Sequence, residues 1–363
     1  MGRGDPARVT RIPIALTIAG SDSGAGAGVQ ADLKTFAALG VYGASVVTAL
    51  TAQNTRGVSA IHVPPPAIVV AQIDAVLGDF AVAAIKIGML GSAEVAATVA
   101  DRLGLAGLER NRPLHHAEAR RETGVLPHAL WHGPSPPPLR GMGGAQTAPS
   151  GDPPLRSGGG GPAEGRGRGR FSRDVSSRPQ NAPAASEPFP FVVYDPVMAA
   201  SSGDPLAGEG FVAAIRERLL PLIDCLTPNL AEAAVLLDTS AAKSEAEMAA
   251  QGEALLALGP RTVLMKGGHL EGDAIDLLVT RDGARRFAAP RIASANLHGT
   301  GCTLSSALAA YTVLGLALPE AVAAAKGFVR DAIARGRAVT LGAGAGPLMQ
   351  IGLAKRDRNG RPD

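Results

Sequence analysis

Residues 12–19 (IPIALTIA) form a nearly unbroken apolar run that stops at Gly, Ser and Asp. From about residue 29 to 39, polar and apolar positions then alternate at helical spacing. The same sequence of events recurs along the chain. Apolar runs at 41–49 (VYGASVVTA), from Ala83 (AAIKIGML), at FVVYDPVM, DCL and TVLMK, and at 274–279 read as strands. Stretches at 66–80, 94–103 and 211–220, one through Glu232 and one after Cys302 read as helices. Continuous apolar strands separated by helices predict an α/β fold with a mostly parallel sheet covered on both faces. In such sheets ligands collect at the carboxyl ends of the strands. The polar punctuation gathers there: GSDSGAGAG, TAQN, KIGML, YDPVM, TPN and MKGGH each close a predicted strand.

One segment breaks the pattern. Residues 104–190 carry 11 Arg, no Lys and 7 acidic residues, a net +4, so the other residues of this +3 chain sum to −1. The segment is rich in Pro and Gly and has no apolar periodicity, which predicts a disordered insertion. A tether for an acidic partner or RNA is the alternative. The expected organisation is one domain built from 1–103 and 191–363. The basic pI belongs to the insertion, so the rest of the chain offers no electrostatic case for nucleic acid. Aromatic residues are only 3% of the chain, so the core must come from Ala, Val, Leu and Ile. Cys225 and Cys302 make neither a disulfide framework nor a metal spacing. No apolar run is long enough to span a bilayer and no leader is evident, so the expectation is a cytoplasmic protein without membrane contact.

Taken singly, the motifs each have two readings. GSDSGAGAG (20–28) opens a helix and is either a phosphate loop or a flexible turn. Asn229 and Glu232 stand three apart at a helix start, where they arrange water around magnesium or simply cap the helix. Lys266, followed by two glycines, is a cation for nucleotide phosphates or an exposed turn residue. Asp195 closes an apolar strand as a cap or as an acid of a metal and phosphate site. Gln53 is a substrate-reading amide or a turn stabiliser. Cys225, inside LIDCL, reads as a buried structural thiol.

Their order along the chain is more specific. AGSDSGAGAGVQADLKTFAALGVYG, VVTALTAQNTRGV, KIGML, DPVMAASSGDPL, LTPNLAEAAVLL, VLMKGGH and HGTGCTLSSALAA together resemble the hydroxymethylpyrimidine and phosphomethylpyrimidine kinases of thiamine biosynthesis, within the ribokinase-like superfamily. The resemblance implies a three-layer α/β sandwich that uses ATP and magnesium to phosphorylate a small pyrimidine twice, with a homodimer as the family's habit. It places Gln53 on the pyrimidine, with Gly20, Met89 and Val197 as pocket walls. Lys266 would contact ATP phosphates, and Asp195, Asn229 and Glu232 would organise magnesium and water. The backbone N–H groups of Gly299, Thr300, Gly301 and Cys302 would form an anion hole. Pyridoxal kinase activity on the same scaffold, or a non-catalytic role centred on the Arg-rich insertion, are the alternatives.

Cys302 follows Gly-Thr-Gly at a predicted helix N-terminus, where the dipole favours negative charge. The expectation is a thiol with a lowered pKa that accepts the hydroxymethyl proton during transfer. The alternative is a small residue that only shapes the pocket.

Overall fold

A computed structural model describes residues 12–105, 189–198, 210–268 and 270–352. Most of the 104–190 segment, His269 of MKGGH and residues 199–206 of the DPVM motif lie outside the described residues.

The predicted alternation is present in the order β1 (Ile14–Asp22), α1 (Gly28–Ala38), β2 (Tyr42–Asn54), β3 (Gly57–His62), α2 (Pro66–Leu77), β4 (Val82–Ile87), α3 (Ala93–Leu105) and β5 (Phe191–Tyr194). It continues with α4 (Phe211–Ala214), β6 (Cys225–Leu226), α5 (Leu230–Leu237), α6 (Glu245–Ala257), β7 (Thr262–Lys266), β8 (Ala274–Thr280), β9 (Gly283–Ala289), α7 (Thr300–Val313) and α8 (Leu318–Gly336). These strands form one nine-stranded sheet in the order β3-β2-β1-β4-β5-β6-β7-β8-β9. The β2-β1-β4-β5-β6-β7 centre is parallel, and β3, β8 and β9 extend it antiparallel.

The helix expected over 211–220 is not one regular helix. Only Phe211–Ala214 is α-helical, followed by a π turn at Ile215–Leu219 and a 3-10 turn at Leu220–Leu222. Pro221 has no N–H to give, which accounts for the tightened end.

Strand alternation sorts the core into two layers. Leu16, Ile18, Ile85, Ile87, Val192, Tyr194, Val263 and Met265 point to one face, where α2 to α6 pack. Ala15, Ala84, Val193 and Leu264 point to the other, against α1, α7 and α8. This second interface is lined with small residues, including Ala307, Ala309, Ala310, Ala321 and Ala325. Small side chains let the helices approach the sheet closely, as the aromatic-poor composition requires.

The segment from residue 189 onward is seated in the sheet. β5 pairs in parallel register with β4 and β6. The Asp195 N–H donates to the Ile87 carbonyl at 2.9 Å. Asp195 therefore stands at the carboxyl edge beside the end of β4.

Candidate active site

Two glycine-rich segments meet at the centre of that edge. Gly299 caps the N-terminus of α7 with φ +86°, a left-handed conformation that favours glycine. A Cβ there would fall 1.9 Å from the Gly26 carbonyl oxygen. Asp22 shapes the opposing loop: its Oδ1 accepts from Gly24 N–H at 2.8 Å, and its Oδ2 from Gly26 and Ala27 N–H at 3.0 and 2.8 Å. Burial alone would raise the Asp22 pKa. The His298 hydrogen bond and the amides of Ala27 and Gly24 outweigh it and hold the carboxyl below its ordinary value.

On one side of the α7 terminus stands a charged cluster. Lys266 Nζ donates to Asp195 Oδ1 at 2.6 Å and lies 3.7 Å from Glu232 Oε2. Gly301 is pressed against this pair: a Cβ on it would sit 3.1 Å from Lys266 Nζ and 3.3 Å from Asp195 Oδ2. Asn229 and Glu232 form a reciprocal capping box at the start of α5, with hydrogen bonds of 2.7 and 2.8 Å. Burial is the main force on both charged partners, but it acts in opposite directions. It pushes the Glu232 carboxyl up to about 7 against the pull of Lys266. For Lys266 burial would favour the neutral amine, but Asp195 and Glu232 keep the ammonium well above its ordinary value.

On the other side lies an apolar corner. Met89 and Ala49 form a small buried cluster with Val197 and Val63 packed on it. Gly20 belongs to the same corner, since a Cβ on it would meet Met89 Sδ at 3.1 Å. Gln53 shares the Ala49 face of β2, two alternations further along. Its Oε1 accepts from Thr51 Oγ1 at 3.2 Å, and its Nε2 is 3.3 Å from His298 Nε2. That same His298 nitrogen is 3.0 Å from Asp22 Oδ2. Gln53 and His298 also border a cavity of about 370 Å³, together with Arg56 and Gly344.

Cys302 is on the first turn of α7, 9% exposed. The expected lowering of its pKa is not what the structure shows. Burial pushes the thiol up to about 11, and Asp32 and Asp195 add to that; Lys86 and the Gly28 N–H act in the opposite direction. The helix terminus and its neighbours do not overcome desolvation here.

All twelve of the candidate residues thus lie along one sheet edge, at the glycine junction or on its two flanks. The sequence motifs gave no role to Asp22, Asp32, Lys86 or His298. A lysine at an inward position of the apolar strand AAIKIGML was a readable signal for Lys86.

No group of three or more His, Cys, Asp or Glu side chains among the described residues makes a protein-only metal cage. The oxygen donors of Asp195, Glu232 and Asn229 do suit a hard cation that takes one or two carboxylates and completes its shell with phosphate oxygens and water.

A doubly covered parallel sheet with apposed glycine turns, a lysine and two carboxylates at its carboxyl edge defines a small-molecule kinase of the ribokinase-like class. The chain belongs to the phosphomethylpyrimidine kinase family, whose model matches residues 22–110 and 181–349. It is 41% identical to a hydroxymethylpyrimidine/phosphomethylpyrimidine kinase of Rhizobium meliloti (strain 1021), over 92% of this chain and 96% of that protein. Among solved structures, it resembles a phosphomethylpyrimidine kinase from Clostridium difficile 630 at 31% identity and a TM-score of 0.59, covering 88% of this chain and 99% of the other. It also resembles a Staphylococcus aureus pyridoxal kinase in complex with AMP-PCP and pyridoxal, at 25% identity and a TM-score of 0.64, with 93% of each chain covered.

Proposed function

We propose that this chain uses ATP to phosphorylate 4-amino-5-hydroxymethyl-2-methylpyrimidine to its monophosphate and then to the diphosphate, supplying thiamine biosynthesis. The observation that carries the reading is the placement of Cys302. It sits on the first turn of α7, next to the Gly301 that abuts the Lys266–Asp195 pair, and its thiol meets the N–H of Gly28, whose backbone packs on the Gly20 carbonyl.

In this reading Gly20, Met89 and Val197 hold the pyrimidine ring, and the Gln53 amide donates to and accepts from its polar edge. Lys266 and Asn229 bind the ATP phosphates. Asp195 and Glu232 would hold magnesium, which neutralises phosphate charge when bound. The N–H groups of Gly299, Gly301 and Cys302 face the transferred phosphoryl group and hold its negative charge, whereas the Thr300 N–H is already given to the Leu297 carbonyl at 3.3 Å. Cys302 is the proton acceptor in the first transfer. The substrate hydroxyl must lose a proton as its oxygen bonds to phosphorus, and the thiolate form of Cys302 would take it.

Three further parts of the proposal rest on the family and the sequence. The enzyme acts as a homodimer in the cytoplasm; among the described residues no helix is long and apolar enough to cross a membrane. Residues 104–190 are an insertion in a single domain made of 1–103 and 191–363, and chemistry does not require them. The family match leaves 111–180 uncovered, in keeping with this.

An ATP-consumption assay with hydroxymethylpyrimidine, its monophosphate and pyridoxal in parallel tests the proposal. Turnover on both pyrimidines is the expected result. Preference for pyridoxal would favour the second reading, which the likeness to the pyridoxal-bound kinase supports. ATP consumption independent of all three would defeat both.

A further inference from the structure

The helices carrying the two glycine-rich segments face each other residue for residue beneath Cys302. On α1, Gly28 and Asp32 are one turn apart; on α7, Cys302 and Ser306 are one turn apart. The Gly28 N–H meets the Cys302 thiol. One turn further on, Ser306 Oγ donates to Asp32 Oδ1 at 2.7 Å. The other Asp32 oxygen accepts from Thr17 Oγ1 at 2.6 Å and from Lys86 Nζ at 2.8 Å. Thr17 and Lys86 are register partners on β1 and β4, and alternation turns both toward α1 and α7. Thr17, Asp32, Lys86 and Ser306 are all 0% exposed.

A fully buried ion pair is an expensive way to fill a core, since apolar side chains of similar volume serve as well or better. This pair has a use because of where it stands. We propose that Lys86, anchored by Asp32, is a positioning residue for phosphoryl transfer: through Asp32 and Ser306 its ammonium is fixed one helical turn from Cys302, as a positive charge built into the floor of the site. The inference rests on Cys302 being the proton acceptor. In that step the thiolate sulfur takes the hydroxyl proton, the substrate oxygen bonds to the γ-phosphorus, and the bond from that phosphorus to the ADP oxygen breaks. The thiol then returns its proton to solvent.

Several charges face the thiol. Asp32 from α1 and Asp195 after β5 join burial in opposing its ionisation, whereas Lys86 from β4 is the strongest pull toward the thiolate. Lys266 at the end of β7 also faces it. Asp32 has a second task. Burial would strip the proton from an isolated Lys86, but the Asp32 carboxylate foremost, with Cys302 and Asp195, holds the ammonium well above its ordinary pKa. Asp32 thus costs the thiol a little and keeps the cation that helps it more.

The test removes the pair together, as Lys86→Met with Asp32→Asn, so that no buried charge is left unpaired and the Thr17 and Ser306 hydroxyls keep a partner. Iodoacetamide modification of Cys302, followed by mass spectrometry at about pH 8, should slow about tenfold, because the thiolate is the reacting form. Under single-turnover conditions the first phosphorylation should lose more than the second. If that variant does not fold, Lys86→Gln with Asp32→Asn takes its place, since the two amides can bond each other. An unchanged modification rate in a folded variant overturns the proposal, whatever activity does. Cys302→Ala, run alongside, separates the two ideas. Equal losses on both steps would end the proton-acceptor reading, while slower modification in the double variant would still uphold the electrostatic link between Lys86 and Cys302.

Discussion

Gly299 touches Gly26 through bare backbone: a Cβ on Gly299 would lie 1.9 Å from the Gly26 carbonyl oxygen. The contact locks the N-terminus of α7 against the loop that Asp22 shapes, and so sets where the helix amides and Cys302 stand.

Gly299→Ala should therefore damage both phosphorylation steps. The side chain adds about 1–2 kcal/mol of left-handed strain and forces the two segments apart. A displacement on the order of 1 Å at a catalytic constellation costs about 10²-fold. Gly315→Ala is the control, because Gly315 has φ +94° but open space around its Cβ position. It should lower the melting temperature with kcat/KM unchanged. Matching kinetics for the two variants would mean that the Gly299–Gly26 contact does not position the site.

Gln53→Ala should raise the KM for the pyrimidine and leave that for ATP unchanged. The amide lies on the apolar-corner side of the edge, held by Thr51 and close to His298. An unpaired polar edge left on the substrate costs about 1–3 kcal/mol, roughly 5- to 150-fold in KM. An effect confined to ATP would move Gln53 out of the substrate pocket.

Cys302→Ala should slow the first phosphorylation by about 10²–10⁴-fold and the second far less. The second nucleophile is a phosphate oxygen, already largely ionised near neutrality because its second pKa is about 6. pH gives an independent reading. With the thiol pushed up to about 11, the thiolate fraction, and with it the first-step rate, should climb about tenfold per pH unit between about pH 7 and 9. The variant should lose that slope. Equal losses on hydroxymethylpyrimidine and its monophosphate, or a slope that survives in Cys302→Ala, would rule out the proton-acceptor role.

Both thiols should also make the fold sensitive to alkali. Burial raises Cys225 to about 12 and Cys302 to about 11, from an ordinary value of 9.0. Above that ordinary value the unfolded chain releases thiol protons that the folded chain retains, so stability falls as pH rises from about 9 toward 11. Urea midpoints across that range should fall less steeply in a Cys225→Ala, Cys302→Ala double variant. An identical slope would mean that the thiols are not desolvated as the structure has them.

Replacing residues 111–180 with a short flexible linker should leave both phosphorylation rates within about threefold of the full chain, because loop length carries only a modest entropic cost. Loss of activity in a folded deletion variant would assign this segment a part in the chemistry.

The order of layers was legible in the chain because burial on both faces writes continuous apolar runs, and the polar stops between them marked one edge of the sheet. The runs at residues 12–19, 41–49 and 274–279 all became strands of that sheet. The Asn229–Glu232 spacing predicted a helix start and is a capping box. Elements without such a signature went unread. β3 is an edge strand with mostly exposed residues, β9 exposes both Arg285 and Arg286, and α6 and α8 lie outside the motifs.

What the tertiary structure alone decided is which distant residues share a position. Lys86 finds Asp32 across 54 residues, and His298 finds Asp22 across 276. Local pattern reports whether a residue is buried, but parallel strand register and helix crossover decide what it is buried against. Cys302 shows the consequence. Its sequence context, a helix N-terminus after glycines, argues for a lowered pKa, yet burial between α1 and the sheet dominates and raises it. Desolvation depends on everything packed around a group, and in a sheet whose neighbours come from remote parts of the chain, no local stretch contains that information.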